Sequence, residues 1–245
     1  MRSQSGFTLI EIAIVLVIIG LLLGGVLKGE ELVVSARVRE LIAQQDGARA
    51  AFYGFQDRFR AAPGDYAKAS INLRCPSGGS CLNGNGNGII ESNAAPINVQ
   101  GVASENNEAL LVWMHLASAG FIDGNYRMQS GATQPNDGNS PKNAYNIYLQ
   151  LIYDNAYADS TGNAPKQHNL KTGAQIPVEI LGEVDRKIDD GNGVRGEFRF
   201  STYQGNAPAA PSPPVAVYSP GSCVSAAGMW FLEEGQSNCG GAGLL

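Results

Sequence analysis

The chain has 245 residues, 16% of them charged, with 17 Lys and Arg against 22 Asp and Glu for a net charge of −5. That sign excludes a general nucleic-acid-binding surface. The 31 glycines, frequent asparagines and sparse charge describe a loop-rich extracellular domain and not a cytosolic enzyme, and the length suits one membrane helix plus a globular domain of roughly 180 residues.

From Phe7 to Leu27 the sequence is one apolar run of 21 residues with a single carboxylate, Glu11. At the helical rise it spans roughly 30 Å, enough to cross a bilayer. An ordinary secretory signal is cut behind its apolar core, after small residues; nothing like Ala-x-Ala follows closely here. A plain signal anchor accounts for the length and for Arg2, but not for Glu11. A charge inside such a run costs about 2–3 kcal/mol near the bilayer centre, so Glu11 calls for a partner. A cut between Gly6 and Phe7 would supply one, as a new α-amine one helical turn away or on a neighbouring subunit at the same depth.

The stretch Gly6-Phe7-Thr8-Leu9-Ile10-Glu11 resembles the class III signal of type IV pilins and type II secretion pseudopilins. The resemblance implies cleavage after Gly6 by a prepilin peptidase, N-methylation of Phe7, and pairing of Glu11 with the Phe7 amine of an adjacent subunit during filament assembly. It implies as partners other pilin or pseudopilin subunits, the peptidase, the inner-membrane assembly platform and membrane lipid. It also implies a single pass through the inner membrane with the head outside, and later a place in a filament. The chain then divides into a leader (1–6), a membrane-spanning and polymerisation helix (7–27), the amphipathic half of that helix (28–62) and a head (63–245).

Beyond Lys28, Glu30 and Glu31 the apolar residues Val34, Val38, Leu41, Ile42, Ala48, Phe52, Phe55 and Phe59 recur in steps of three and four, which marks one helical face. Pro63, in Ala62-Pro63-Gly64-Asp65, ends the helix in a turn. A helix over 7–61 would be roughly 80 Å long. Some pilins carry proline where Lys28 stands. This chain has instead Gly20, Gly24 and Gly25, each about 1 kcal/mol worse than alanine in a helix, so the Gly24-Gly25 pair is the expected bending point in a filament.

The expected fold class is α+β and pilin-like, the long helix packed under a small antiparallel sheet. Residues 70–104 read as an Asn/Gly-rich insertion with few apolar anchors. A helix is expected over 105–122 and a second over 177–190, begun by Pro177 and ended by Gly191. Strands are expected over 144–153 and 196–203, with short ones at 215–218 and 229–232 beyond a Pro/Ala/Ser linker at 207–214. Residues 125–141 read as loop. Ala62-Pro63-Gly64-Asp65-Tyr66, the Glu108-to-Gly120 segment and Val184–Gly191 are also similar to stretches of long, poorly characterised pilin-like proteins; that likeness carries no activity.

Four cysteines in an exported head favour two disulfides. Of three connectivities, the nearest-neighbour one, Cys75–Cys81 with Cys223–Cys239, is expected. The second pair would then hold a tail, Gly235–Leu245, with too few apolar residues to dock unaided. Free thiols or a Cys₄ metal site are the alternatives; CxxC spacing is missing.

Asn83-Gly-Asn85-Gly-Asn87-Gly-Ile-Ile-Glu91 has the rhythm of a calcium loop. It lacks the first-position Asp and has Ala94 at the twelfth, so an exposed flexible turn is expected. Asp189-Asp190-Gly191-Asn192 is a second weak calcium candidate, and no other cofactor is expected. Gly191–Gly196 matches GxGxxG in the wrong order, helix before strand. The two histidines, His115 and His168, read as a core residue and a loop residue. With no HExxH, GxSxG or P-loop, no enzyme is expected. Phe52, Tyr53, Phe55 and Phe59 read as core, since Arg58 and Arg60 alone are too few cations for a nucleic-acid stacking platform.

Overall fold

The structure, a computed structural model, describes residues 8–75, 81–92, 98–99, 102–103, 107–129, 131–203, 223–225, 227–232 and 238–245. The leader with Phe7, the 207–214 linker and the 215–218 segment lie outside the described residues.

Helix α1 runs from Leu9 to Phe59, 51 residues, or about 75 Å. It passes through Gly24-Gly25 without a break. Arg60 closes it in a left-handed conformation (φ 54°), donating its N–H to Gln56 O at 2.8 Å; Pro63 then prevents resumption. Within α1 the first buried residue is Val38; Leu41, Gln45, Ala48, Ala51, Phe52 and Phe55 follow. Val34, expected on that face, is 43% exposed, so the head grips α1 one turn later than the periodicity suggests.

After α1 come a short helix α2 (Ala69–Asn72) and a two-stranded pair, β1 (Asn98–Val99) with β2 (Val102–Ala103). Helix α3 (Glu108–Ser118) is buried at every position from Glu108 to Leu116. It is a core helix, shorter at both ends than the 105–122 expected. Strands β3 (Gln150–Asp154), β4 (Gln167–Lys171), β5 (Phe198–Phe200) and β6 (Gly241–Leu244) form an antiparallel sheet in the order β3-β4-β6-β5. Helix α4 (Val178–Ile188) precedes β5 and packs on α1. The layout is therefore α+β, with a long helix against a small antiparallel sheet.

Several sequence expectations need correction. The strand expected over 144–153 starts only at Gln150. Asn143 Oδ1 captures the N–H groups of Tyr145 and Ile147 at 2.8 and 3.1 Å and Asn146 takes φ 63°, a turn that no ladder tolerates. The strand over 196–203 shortens to β5. Met229 and Trp230 make single bridges, to Asn192 and Val224, and not a strand. The tail is no passive end: β6 sits in the interior of the sheet, hydrogen-bonded to β4 on one side and β5 on the other. Its glycines allow this. A Cβ at Gly243 would lie 2.3 Å from Gln45 Oε1 of α1, and one at Gly241 2.3 Å from the Phe198 ring.

The core has two parts strung along α1. One joins Ala48–Phe55 to α3, β3 and Leu170; the other joins Val38 and Leu41 to α4, Phe198 and Trp230. The disulfides are Cys75–Cys81 and Cys223–Cys239, the nearest-neighbour pairing.

Candidate functional site

The N-terminal end of α1 is organised by a residue that the sequence reading passed over. Thr8 is the N-cap, and its hydroxyl oxygen accepts the Glu11 N–H at 3.3 Å. The Glu11 carboxylate in return accepts the Thr8 N–H at 2.8 Å and the Thr8 hydroxyl at 2.7 Å. This reciprocal pair is a capping box, which satisfies backbone donors that the first turn leaves over. The signal was legible: Thr followed three residues later by Glu, ahead of an apolar run. Glu11 thus has a local task as well as any intersubunit one.

Behind this cap the helix is bare. Its most apolar 18-residue window has a mean hydropathy of 2.8 and no buried share. Leu9, Leu21 and Leu27 are 88%, 73% and 67% exposed. Among the described residues this is the one helix long and apolar enough to cross a membrane. Lys28 and Glu31 form an exposed ion pair at 2.6 Å, where the apolar run gives way to charge.

The Asn/Gly segment is not the loose turn expected. Only Gly86–Gly88, its tip, are exposed; Asn85 and Ile90 are buried. Two acids outside the segment fold it. The Asp65 carboxylate accepts the N–H groups of Asn87 and Gly88, and the Glu108 carboxylate those of Asn85 and Glu91 at 2.7 and 3.1 Å. The amides of Asn85 and Asn87 turn their donors to Glu91 at 3.4 and 3.0 Å, while their carbonyl oxygens accept backbone N–H groups. Asn83 Oδ1 accepts from Ser70 N at 2.8 Å. Each of those oxygens accepts a backbone N–H and so shapes the loop.

Among the described residues Glu108 forms no ion pair. Burial pushes its pKa up to about 8, the hydrogen bonds from Asn85 and Glu91 oppose this, and Asp65 and Glu91 push the same way as burial. Below this cluster His115 is fully buried: Nδ1 accepts from Gly64 N at 2.9 Å and Nε2 lies 2.8 Å from Leu82 O. Desolvation holds His115 down at about 4, so it is a neutral structural bridge. His168 is not in a loop but on β4, flanked by Phe52 and Tyr153, and burial lowers it to about 4.

The second calcium candidate lies at the C-terminal end of α4. Asp185, Asp189 and Asp190 bring carboxylate oxygens within 4.8 Å of one another. Asp189 caps the backbone of Asp190, Glu197 and Phe198, Asp190 accepts from Asn192 N, and Asp185 accepts from Trp230 Nε1. Asp185 escaped the sequence reading because it lies on the helix, four residues before Asp189. Burial first, and its acidic neighbours second, raise its pKa to about 8.

Of the aromatics on α1, Phe52 and Phe55 are in the core, and Tyr53 is 47% exposed.

The family model of the prokaryotic N-terminal methylation motif matches residues 1–27. No curated protein and no solved structure matches the chain. The matched segment spans the whole apolar run, the Gly6-Phe7 junction and the Thr8–Glu11 cap. Residues 1–27 therefore constitute a prepilin-type methylation signal of the type IV pilin and pseudopilin kind, the mark of a pilin-like, peptidase-processed protein.

Proposed function

We propose that the chain is a structural subunit, cleaved after Gly6, methylated at Phe7 and polymerised through Phe7–Leu27 into a type IV pilus or type II secretion pseudopilus. The long head with its ordered Asn/Gly loop suits a minor or specialised subunit. The head faces outward from the inner membrane until assembly. The observation that carries this reading is a helix half with no buried surface that begins with one carboxylate, Glu11, inside a matched methylation signal. Such a helix needs lipid before assembly and neighbouring helices after it.

One observation favours a second reading, a membrane-anchored binding domain that does not polymerise. The capping box with Thr8 gives Glu11 a reason to be present without any neighbour. Two substitutions separate the readings. Glu11→Gln keeps a side chain that can close the box and removes the charge; Glu11→Ala removes both. The filament reading expects each to insert in the membrane and each to be depleted from sheared filaments several-fold, since the neighbouring amine loses its counter-charge in both. If Glu11→Gln enters filaments as well as the parent chain does, the carboxylate serves as a cap and the pairing is refuted. Intact-mass analysis of membrane-extracted protein checks processing: the expected chain begins with methylated Phe7, and one that keeps Met1–Gly6 in cells with an active prepilin peptidase refutes it.

A further inference from the structure

The sheet interior, away from the membrane helix, holds a buried polar group. Lys171 on β4 is completely buried, and its Nζ bonds to Asp154 Oδ2 on β3. Asn169, two residues along β4 and also fully buried, donates its Nδ2 to Asp154 Oδ1 at 2.9 Å. Nδ2 also lies 3.1 Å from Gln167 O, which fixes the orientation of the amide. Asn169 Oδ1 is buried and accepts no hydrogen bond from the described residues. The aromatic face of Tyr203, itself buried, lies 5.9 Å from Lys171 Nζ.

One carboxylate therefore bridges an amine and a carboxamide in a site shielded from water. Lys171 and Asn169 project from the same face of β4 because they are two residues apart, and their terminal nitrogens share Asp154. We propose that this is a site of self-modification, in which Lys171 Nζ condenses with the Asn169 carboxamide to an internal amide and Asp154 carries the proton.

The chemistry balances without an outside reagent. Neutral Nζ attacks Asn169 Cγ and forms the C–N bond. Asp154 takes the proton that Nζ sheds and delivers it to Nδ2. The Cγ–Nδ2 bond breaks and one ammonia leaves. A carboxylate in contact with both nitrogens is placed for this shuttle. Were Asp154 itself the acyl group, no further carboxylate among the hydrogen-bond partners of the pair would carry the proton. Burial also pushes the Lys171 amine down to about 8, against the pull of Asp154, so a fraction of it is neutral and nucleophilic near neutral pH.

Tryptic mapping of the full-length chain, extracted in detergent from the cells that make it, tests the inference. The expected result is loss of cleavage after Lys171 and a peptide spanning 167–186 lighter by one ammonia, with no fragment ions separating residues 169 to 171. In Lys171→Arg, which keeps the positive charge, the ammonia loss is expected to disappear and cleavage at 171 to return. Normal cleavage and an unshifted mass in the parent chain overturn the proposal whatever the variants do. An ammonia loss that fragment ions place at Asn169 and that persists in Lys171→Arg overturns it too, because cyclisation of Asn169 onto its own backbone would explain that loss; a loss placed at Gln167, the N-terminus that trypsin exposes, is pyroglutamate formation and is not counted. Loss of one water, with the 143–166 peptide joined to Lys171, overturns the choice of Asn169 and makes Asp154 the acyl group.

Discussion

Deletion of residues 241–245 should unfold the head, although the segment reads as Gly-Ala-Gly-Leu-Leu with almost nothing to bury. Within it Gly241 N donates to Thr172 Oγ1 and Gly241 O accepts from Thr172 N, at 2.8 and 2.9 Å. Leu244 N donates to Glu197 O at 2.7 Å, Leu245 N to His168 O at 3.0 Å, and Arg49 Nη2 to Leu244 O at 2.8 Å. At about 1 kcal/mol net each, these bonds sum to about 5 kcal/mol. Uncovering Phe198, packed on Gly241 and now fully buried, adds about 1.5–3 kcal/mol. The total of roughly 7 kcal/mol stands against a net stability of about 5–15 kcal/mol for a domain. Trp113 and Trp230 are both buried, so their emission reports the head and not α1. The truncated full-length chain, in the same detergent as the parent, should show red-shifted emission or a much lowered melting temperature, together with rapid proteolysis of the head. Parent-like emission and melting would refute a load carried by backbone pairing.

Two further perturbations follow from the head. Glu108 has a folded pKa of about 8 against an ordinary 4.5, so the folded chain binds more protons across that window and its contribution to stability is lost as pH rises through about 8. His115, held at about 4 against 6.5, has the opposite sign: the unfolded chain binds more protons, and stability is lost as pH falls from 6.5 through about 4. Melting temperature should therefore be highest between about pH 4.5 and 6.5, where the two effects oppose each other, and should decline from there up to about pH 8 and down to about pH 4. Glu108→Gln should lessen the decline towards pH 8, the remainder belonging to Asp185, which is raised to about 8 as well, and an unchanged decline would show that Glu108 does not contribute to it. For the disulfides, sequence separations of 6 and 16 give loop-closure contributions of about 2.4 and 3 kcal/mol. Cys75→Ser and Cys239→Ser should thus lower the melting temperature to a similar degree, each by roughly 5–10 °C, and a negligible shift for Cys75→Ser would contradict the entropic account.

What was legible in the sequence was whatever long periodic hydrophobicity specifies. Helix α1, the stop at Pro63 and helix α4 fall within two residues of their expected ends or nearly so. The central strands were illegible for a physical reason. Strand β4 is Gln-His-Asn-Leu-Lys, its polar side chains paired inside the head, as Asn169 and Lys171 are with Asp154. Strand β6 is chosen for thinness, so that Gln45 and Phe198 can close over it. Neither shows the apolar alternation of a half-buried strand. The Asn/Gly segment misled in the same way: its order comes from Asp65 and Glu108, some twenty residues away on either side of it. At the processing end, Gly6, Phe7 and Glu11 were conspicuous because a lone acid in an apolar run is costly, whereas Thr8 was overlooked as an ordinary helix residue.

The grip of the head on α1 bears on why the helix is so long. Both parts of the core hold it between Val38 and Phe55. The apolar run that suits a bilayer ends at Leu27, so ten residues, about 15 Å of helix, separate it from the first buried side chain. In that interval Leu32 and Val33 are 62% and 53% exposed. An anchor that merely tethered a domain would place polar residues there, since water would surround the helix on all sides. Apolar side chains beside Lys28, Glu30 and Glu31 instead suit the proposed filament, in which other helices would cover this stretch and the now exposed Lys28–Glu31 pair once the helix leaves lipid. Gln45 and Arg49 reach β6 and its neighbours from the turns beyond Val38, while α4 packs along the same part of α1 with Val38 and Leu41 between them, so a pull along α1 is shared between the sheet and α4.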